Sequence, residues 1–273
     1  MLDSCVFVPK IGHIKFNLYR PIEGRIKTVT IKRSATGKWW VGFSCDLGEA
    51  PKLMDVTDIK TEKMVGIDLG LTHLFTDSYG NHTKNHKYYK RSQAKLKMAQ
   101  QNLSHKSKGS KSRERARILV AKLHEHIANQ RLDGARQLIS CLFNKYDLVA
   151  YEDLNVKGLI NKSIEDNNRL AKNIYDASWS IFIKCLVNKA ENAGKLAVKV
   201  DPRGTSQNCS GCGKVVTKSL YERTHKCPFC GLELDRDHNS GVNILNRALV
   251  LLEARAAPSI NSSNCELRSE VLS

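Results

Sequence analysis

The stretch Val65-Gly-Ile-Asp68-Leu-Gly70 decides the fold: it is an apolar run that closes on a carboxylate and a glycine. Together with Met64, such a run reads as a strand. An acid at its carboxyl end sits where open α/β sheets gather their functional groups. Working outward, Leu74–Ser78 reads as a second strand, followed by a turn at Tyr79-Gly80-Asn81. Asp147–Tyr151 reads as a third strand that delivers Glu152, and Leu196, Val198 and Val200 alternate as a fourth. Leu170–Ala193 reads as one helix closed by Gly194. Asp237–Val250 reads as a final helix with Val242, Leu245 and Leu249 on one side. Strands alternating with helices place the chain in the α/β class.

The flanks are different in kind. Residues 1–60 are expected to form a small β module, with strands at Lys15–Leu18, Lys27–Ile31 and Trp39–Phe43 and a hairpin at Ser34-Ala-Thr-Gly37. Residues 84–131 hold fourteen Lys or Arg against two Glu and read as a helix pair, with Leu132-Asp-Gly134 expected to interrupt the second helix. A merely solvated face mixes Glu with Lys, so this one-signed face points to phosphate contacts. The net charge of +17 over 273 residues points the same way, to a polyanion, with nucleic acid favoured over an anionic membrane surface. No apolar stretch approaches the ~20 residues of a membrane span, and the N-terminus has no signal-peptide pattern. The expectation is therefore a cytoplasmic, nucleoid-associated protein with no membrane partner. Residues 253–273 lack periodicity and are expected to be disordered.

Two constellations carry chemistry. Cys209-Ser-Gly-Cys212 and Cys227-Pro-Phe-Cys230 form C-x2-C-x14-C-x2-C, the spacing of a four-thiolate zinc site with a small hairpin between the pairs. Gly213 and Gly231 follow each second cysteine and supply the permissive backbone of a knuckle. Four thiolates leave no open position, so this Zn2+ would be structural. Cys5, Cys45, Cys141, Cys185 and Cys265 are scattered. The second constellation is acidic: Asp68 and Glu152 end strands, and Asp237 opens the last helix. Three hard-oxygen donors at one edge suit Mg2+ or Mn2+ and two-metal phosphodiester hydrolysis. Singly, Asp68 reads equally well as a turn residue and Asp237 as a helix N-cap.

In order along the chain, Val65-Gly-Ile-Asp68-Leu-Gly-Leu71, Glu152-Asp-Leu-Asn-Val-Lys-Gly158, Thr205-Ser-Gln-Asn-Cys209-Ser-Gly-Cys212-Gly213, and Cys227-Pro-Phe-Cys230-Gly231 through Asp235-Arg-Asp237-His-Asn239 resemble the TnpB, or OrfB-type, family of transposon-encoded proteins, similar to the compact ancestors of type V CRISPR effectors. The resemblance implies an RNase H-like RuvC nuclease core whose triad is Asp68, Glu152 and Asp237; Asp237 is preferred to Asp235 because the family's last acid lies two residues before Asn239. It implies DNA as substrate and a guide RNA made from the transposon end. It also divides the chain into a partial wedge-type β module (1–60), the core (61–203) with its basic helical pair (84–145), a zinc ribbon (204–234), the last core segment (235–252) and the tail (253–273). On the same ground the chain is expected to begin mid-barrel, without the helical lobe that precedes Ile11-Gly-His-Ile14 in the family. Arg91, Lys95, Arg113, Arg117 and Arg131, with Arg203, Thr205 and Ser206, are the candidate nucleic-acid contacts. The alternative is a non-catalytic DNA- or RNA-binding protein, a regulatory product or remnant transposase. An actin-like ATPase shares Gly66-Ile-Asp-Leu-Gly70, but the sequence holds no second phosphate loop and a zinc ribbon has no place in that fold.

Overall fold

The computed structural model describes residues 4–49, 51–168, 170–219 and 222–256. The chain divides into two compact units, residues 1–52 with 87–135, and residues 53–86 with 136–273.

In the first unit β1 (Ser4–Val8) pairs antiparallel with β2 (Gly12–Phe16), and β3 (Arg25–Arg33) with β4 (Trp39–Asp46). The Ser34–Gly37 hairpin forms as expected, with Gly37 at φ +87° and its N–H donated to the Ser34 carbonyl. β2 starts earlier than Lys15 because the inward alternation already begins at Gly12, with Ile14 and Phe16 turned in and His13 and Lys15 out. The basic segment is a helix pair, α1 (Tyr88–Ser104) and α2 (Lys111–Lys145). The expected interruption at Leu132–Gly134 does not occur. Gly134 lies inside α2, where a Cβ would stand 2.5 Å from the Tyr88 hydroxyl oxygen. Its helix cost of about 1 kcal/mol is offset by that close approach, which no local propensity reveals.

The second unit is built on a mixed five-stranded sheet, β5 (Met64–Leu69), β6 (His73–Asp77), β7 (His82–Lys84), β8 (Leu148–Glu152) and β9 (Leu196–Val200), in the order β7-β6-β5-β8-β9. β5, β6 and β7 run as an antiparallel meander, while β8 and β9 lie parallel to β5. The central strands β5 and β8 are buried on both faces, as their unbroken apolar runs require. Parallel register puts Met64 beside Leu148 and Leu196, and Gly66 beside Ala150 and Val198, on one face. That face packs against Ile244 and Ala248 of the last helix, α6 (Arg236–Ala256), with Leu245, Leu249 and Leu252 alongside. Val242, Leu245 and Leu249 are each half-buried along α6. On the other face Phe75 meets Phe182, ring centroids 5.7 Å apart.

Two local readings need correction. Leu170–Ala193 is two helices, α4 (Leu170–Ala177) and α5 (Trp179–Asn192), because Ser178 adopts φ +58° between them. The break turns Trp179 inward, where its indole N–H donates to the Gly70 carbonyl at 3.2 Å; an apolar stripe running through both helices conceals one left-handed residue. α6 continues past Val250 to Ala256, so residues 253–256 are helical, and the rest of the expected disordered tail lies outside the described residues. Helix α3 (Val156–Glu165) follows Glu152, capped by the Asn155 side chain, which accepts the Gly158 N–H at 2.9 Å.

Candidate active site and metal centre

The row of the sheet beyond Gly66 and Ala150 is where the acids meet. One position past the Ile67–Tyr151 pair come Asp68 and Glu152, on adjacent parallel strands and on the face that carries α6. The third acid is brought in by two glycines. A Cβ on Gly66 would stand 2.2 Å from the Gly241 carbonyl oxygen, and one on Gly241 would stand 3.0 Å from the Asp77 carbonyl carbon. Backbone therefore lies on backbone where α6 crosses the sheet. Asp237 is one helical turn before Gly241, and Asp68 is two residues beyond Gly66, so both point past the crossing on the same face.

Their charges register this convergence. Burial, then the Glu152 carboxylate, then that of Asp237 push the Asp68 carboxyl well above the usual range, against the Ser240 hydroxyl and the Arg236 guanidinium. Burial also raises Glu152, opposed by the Thr205 hydroxyl and by Arg247. Thr205 Oγ1 lies 2.6 Å from Glu152 Oε1. Among the described residues Asp237 makes long ion pairs, at 3.6 Å to Arg223 and 3.6 Å to Arg236. The N-cap of α6 is not Asp237 but Asp235, whose Oδ1 accepts the N–H groups of Asp237 at 2.9 Å and His238 at 3.1 Å. With that duty met by Asp235, the Asp237 carboxylate is left near enough to Asp68 for its charge to be felt there.

The cysteines form the tighter cluster. Among the described residues, Cys209, Cys212, Cys227 and Cys230 are the only group of three or more Cys, His, Asp or Glu whose ligating atoms all lie within 4.8 Å of one another. The Cys209–Cys230 and Cys212–Cys227 sulfurs are each 3.6 Å apart. Burial raises the Cys227 thiol, but the N–H groups of Cys230 and Phe229 and the thiols of Cys230 and Cys209 outweigh it and bring it down to about 6. One member of the set therefore ionises readily, as a metal ligand must. Of the segment between the cysteine pairs, part lies outside the described residues; its last strand, β10 (Thr224–Lys226), pairs with β11 (Glu233–Asp235) and encloses the second knuckle. His225 is buried on β10 with Nδ1 against the Lys218 ammonium, and is not in the cluster.

The remaining sequence candidates separate. Arg91, Lys95 and Arg203 are exposed. Arg113 Nη1 is taken by the Leu103 and Lys106 carbonyls at the end of α1, at 3.1 and 2.9 Å. Arg117 binds Glu114 at 2.7 Å and the Ala35 carbonyl at 3.1 Å. Arg131 and Ser206 are partly buried, and Thr205 is buried with its hydroxyl on Glu152 rather than turned out to a ligand. The sequence reading missed Asn239 and Asn243. Asn239 accepts the Ser210 N–H at 3.0 Å and donates to the Asn208 carbonyl at 2.8 Å; Asn243 donates to Thr205 at 2.8 Å and to Asn208 at 2.7 Å. Two buried asparagines one turn apart on α6 were the available signal, and they clamp the first knuckle to the helix that bears Asp237.

Fold and site together define an α/β protein with a mixed sheet, a carboxylate group at its edge and a four-cysteine cluster packed against its last helix. Residues 51–163 match the OrfB_IS605 family, described as "Probable transposase", and residues 179–244 match the Cas12f1-like TNB domain. A Streptomyces pristinaespiralis protein, provisionally named RNA-guided DNA endonuclease, is 36% identical over 226 residues, 81% of this chain and 53% of the relative. The CRISPR-associated endodeoxyribonuclease Cas12f1 of Sulfoacidibacillus thermotolerans is 24% identical over 76% of this chain and 50% of its own length. A solved Cas12f1 complex with sgRNA and target DNA aligns over 80% of this chain and 55% of its own, with 16% identity and a TM-score of 0.46. The chain belongs to the TnpB/Cas12f family. It spans about half the length of these relatives. Among the described residues no helix is long and apolar enough to cross a membrane.

Proposed function

We propose that this chain is the nuclease part of an RNA-guided DNA endonuclease, with an RNase H-like RuvC core whose Asp68, Glu152 and Asp237 hold a pair of Mg2+ or Mn2+ ions. The observation that carries it is the convergence of the three acids past the Gly66–Gly241 crossing. The residues fit the ions on two counts. Burial and two neighbouring carboxylates raise Asp68, with Arg236 opposing them, so a cation at this edge relieves the remaining repulsion. All three are also hard-oxygen donors, the ligands that Mg2+ and Mn2+ prefer, and a pair of such ions about 3.5–4 Å apart is the arrangement that phosphodiester hydrolysis of this kind uses. When bound, such ions supply Lewis-acid activation of water and stabilisation of the leaving oxygen.

The chain's own groups do the rest. Asp68 and Glu152 are fixed on central strands, the rigid placement that phosphodiester chemistry needs, and the Asp235 cap holds the first turn of α6 that bears Asp237. The exposed cations Arg91, Lys95 and Arg203 are placed to meet nucleic-acid backbone, and the base-pairing guide would carry sequence recognition. The cysteine cluster fits structural zinc: four sulfurs around Zn2+ at 2.3 Å stand about 3.8 Å apart in a tetrahedron, close to the 3.6 Å seen here.

The test is Mg2+-dependent cleavage of target DNA by the chain supplied with a guide RNA from the same element. Asp68→Ala is expected to abolish cleavage while nucleic-acid binding persists. Cleavage undiminished in that variant removes the site assignment. Salt-dependent binding with no cleavage by the unaltered protein, in Mg2+ or Mn2+, favours the non-catalytic binder.

A further inference from the structure

Glu152 is held from outside the sheet. Thr205 is 3% exposed and Glu152 is 7% exposed, and the hydroxyl–carboxylate contact of 2.6 Å joins them across 53 positions of sequence. The turn that carries Thr205 is itself fixed at both ends. Asn208 donates its N–H to the Gly204 carbonyl at 2.8 Å, closing one tight turn, and Gly204 sits at φ +72°, a conformation that glycine adopts without strain. Both amide hydrogens of Asn243 are used on this turn, one on the Thr205 carbonyl and one on that of Asn208. Asn239 takes the Asn208 carbonyl and the Ser210 N–H on either side of Cys209. A continuous path of hydrogen bonds thus runs from the first cysteine knuckle, through one turn of backbone, to a single carboxylate oxygen.

We infer that Thr205 is a positioning residue: its hydroxyl orients the Glu152 carboxylate for divalent-metal binding, and the cysteine knuckle sets where that hydroxyl stands. This rests on the reading of Glu152 as a metal ligand. Hydroxyl donation to Oε1 fixes the carboxylate and leaves the lone pairs of its other oxygen for a cation. A ligating carboxylate held this way keeps its rotamer when the metal arrives, and loss of such an outer hydrogen bond typically weakens metal affinity about 10–100-fold. The Thr205 hydroxyl also lies 3.0 Å from the Pro202 carbonyl, so the competing view is that it only satisfies its own turn. The two views differ in what happens to the metal.

The experiment is Mn2+ binding to the full chain by isothermal titration calorimetry, with thermal unfolding measured in parallel. Thr205→Val keeps the shape and removes the donor; Thr205→Ser keeps the donor and removes the methyl. The inference expects Mn2+ affinity to fall about 10-fold or more in the valine variant, to return to near the wild-type value in the serine variant, and zinc content to be unchanged in both. Valine and wild-type proteins binding Mn2+ alike would overturn it, as would serine failing to rescue, because the methyl would then be what matters. Asp68→Asn separates the two proposals: if it also binds Mn2+ like wild type, or if the wild-type chain takes up none, the acidic site itself is misassigned. Weak binding in Asp68→Asn with full binding in Thr205→Val leaves the site standing and removes only the role of Thr205.

Discussion

Replacing Gly66 with alanine tests the contact on which the acidic site depends. A Cβ there would lie 2.2 Å from the Gly241 carbonyl oxygen, 2.7 Å from the Leu245 nitrogen and 3.0 Å from the Leu245 Cβ. Moving the carbonyl out to the 3.0 Å that real Cβ contacts respect needs 3.0 − 2.2 = 0.8 Å of extra separation. The two nearest obstacles are backbone, so no side-chain rotation relieves them and α6 must shift as a body. Gly66 is not at positive φ, so backbone strain adds nothing and the effect is purely steric. Overpacking of this kind costs about 1–3 kcal/mol, and rigid backbone on both sides places Gly66→Ala in the upper half of that range. Urea unfolding followed by circular dichroism, with slope m held in common, reads the loss as a lower midpoint. Mn2+ affinity should fall as well, because the same shift draws Asp237 away from Asp68. An alanine variant whose midpoint moves by less than the equivalent of about 0.5 kcal/mol, the ordinary scatter of a harmless substitution, would refute the claim that α6 lies on the sheet through this pair.

Two further outcomes are expected from the same geometry. Asp235→Ala removes the acceptor for two N–H groups of the first α6 turn and should cost about 1 kcal/mol of stability while leaving measurable Mn2+ binding. Asp237→Ala should do the reverse, and identical behaviour of the two variants would mean that cap and ligand have been misassigned. Cys209→Ser removes a buried member of the four-sulfur set; zinc measured by mass spectrometry should drop from one ion per chain to a substoichiometric amount, and retention of a full equivalent would exclude the tetrathiolate.

Short windows of sequence determined a good deal. The apolar run at 64–68 marked a strand, the paired cysteines marked a single four-sulfur cluster, and Glu152 announced itself as an acid at a strand end, where glutamate is a poor strand former. Each is legible because its cause is local: side-chain transfer out of water, chelate spacing, or strand alternation. The hairpin at Ser34–Gly37 was legible for the same reason. The left-handed Ser178 that splits α4 from α5 was not, because the apolar stripe continues through it. Gly134 looked like a helix interruption because only Tyr88, brought against it by packing, explains why that position lacks a side chain.

Tertiary structure alone decided what the acids can do together. Asp68 and Glu152 share a face only through the parallel register of β5 and β8, and Asp237 joins them only because Gly66 and Gly241 allow helix backbone to touch strand backbone. Thr205 looked like a surface contact in sequence and is buried against Glu152 in the fold. Asp235 and Asp237 are chemically alike and two positions apart, and it is the first turn of α6 that makes one a cap and leaves the other near Asp68. Such distinctions depend on which distant backbone segments come within a few ångströms, and no pattern in a single stretch of chain carries that information.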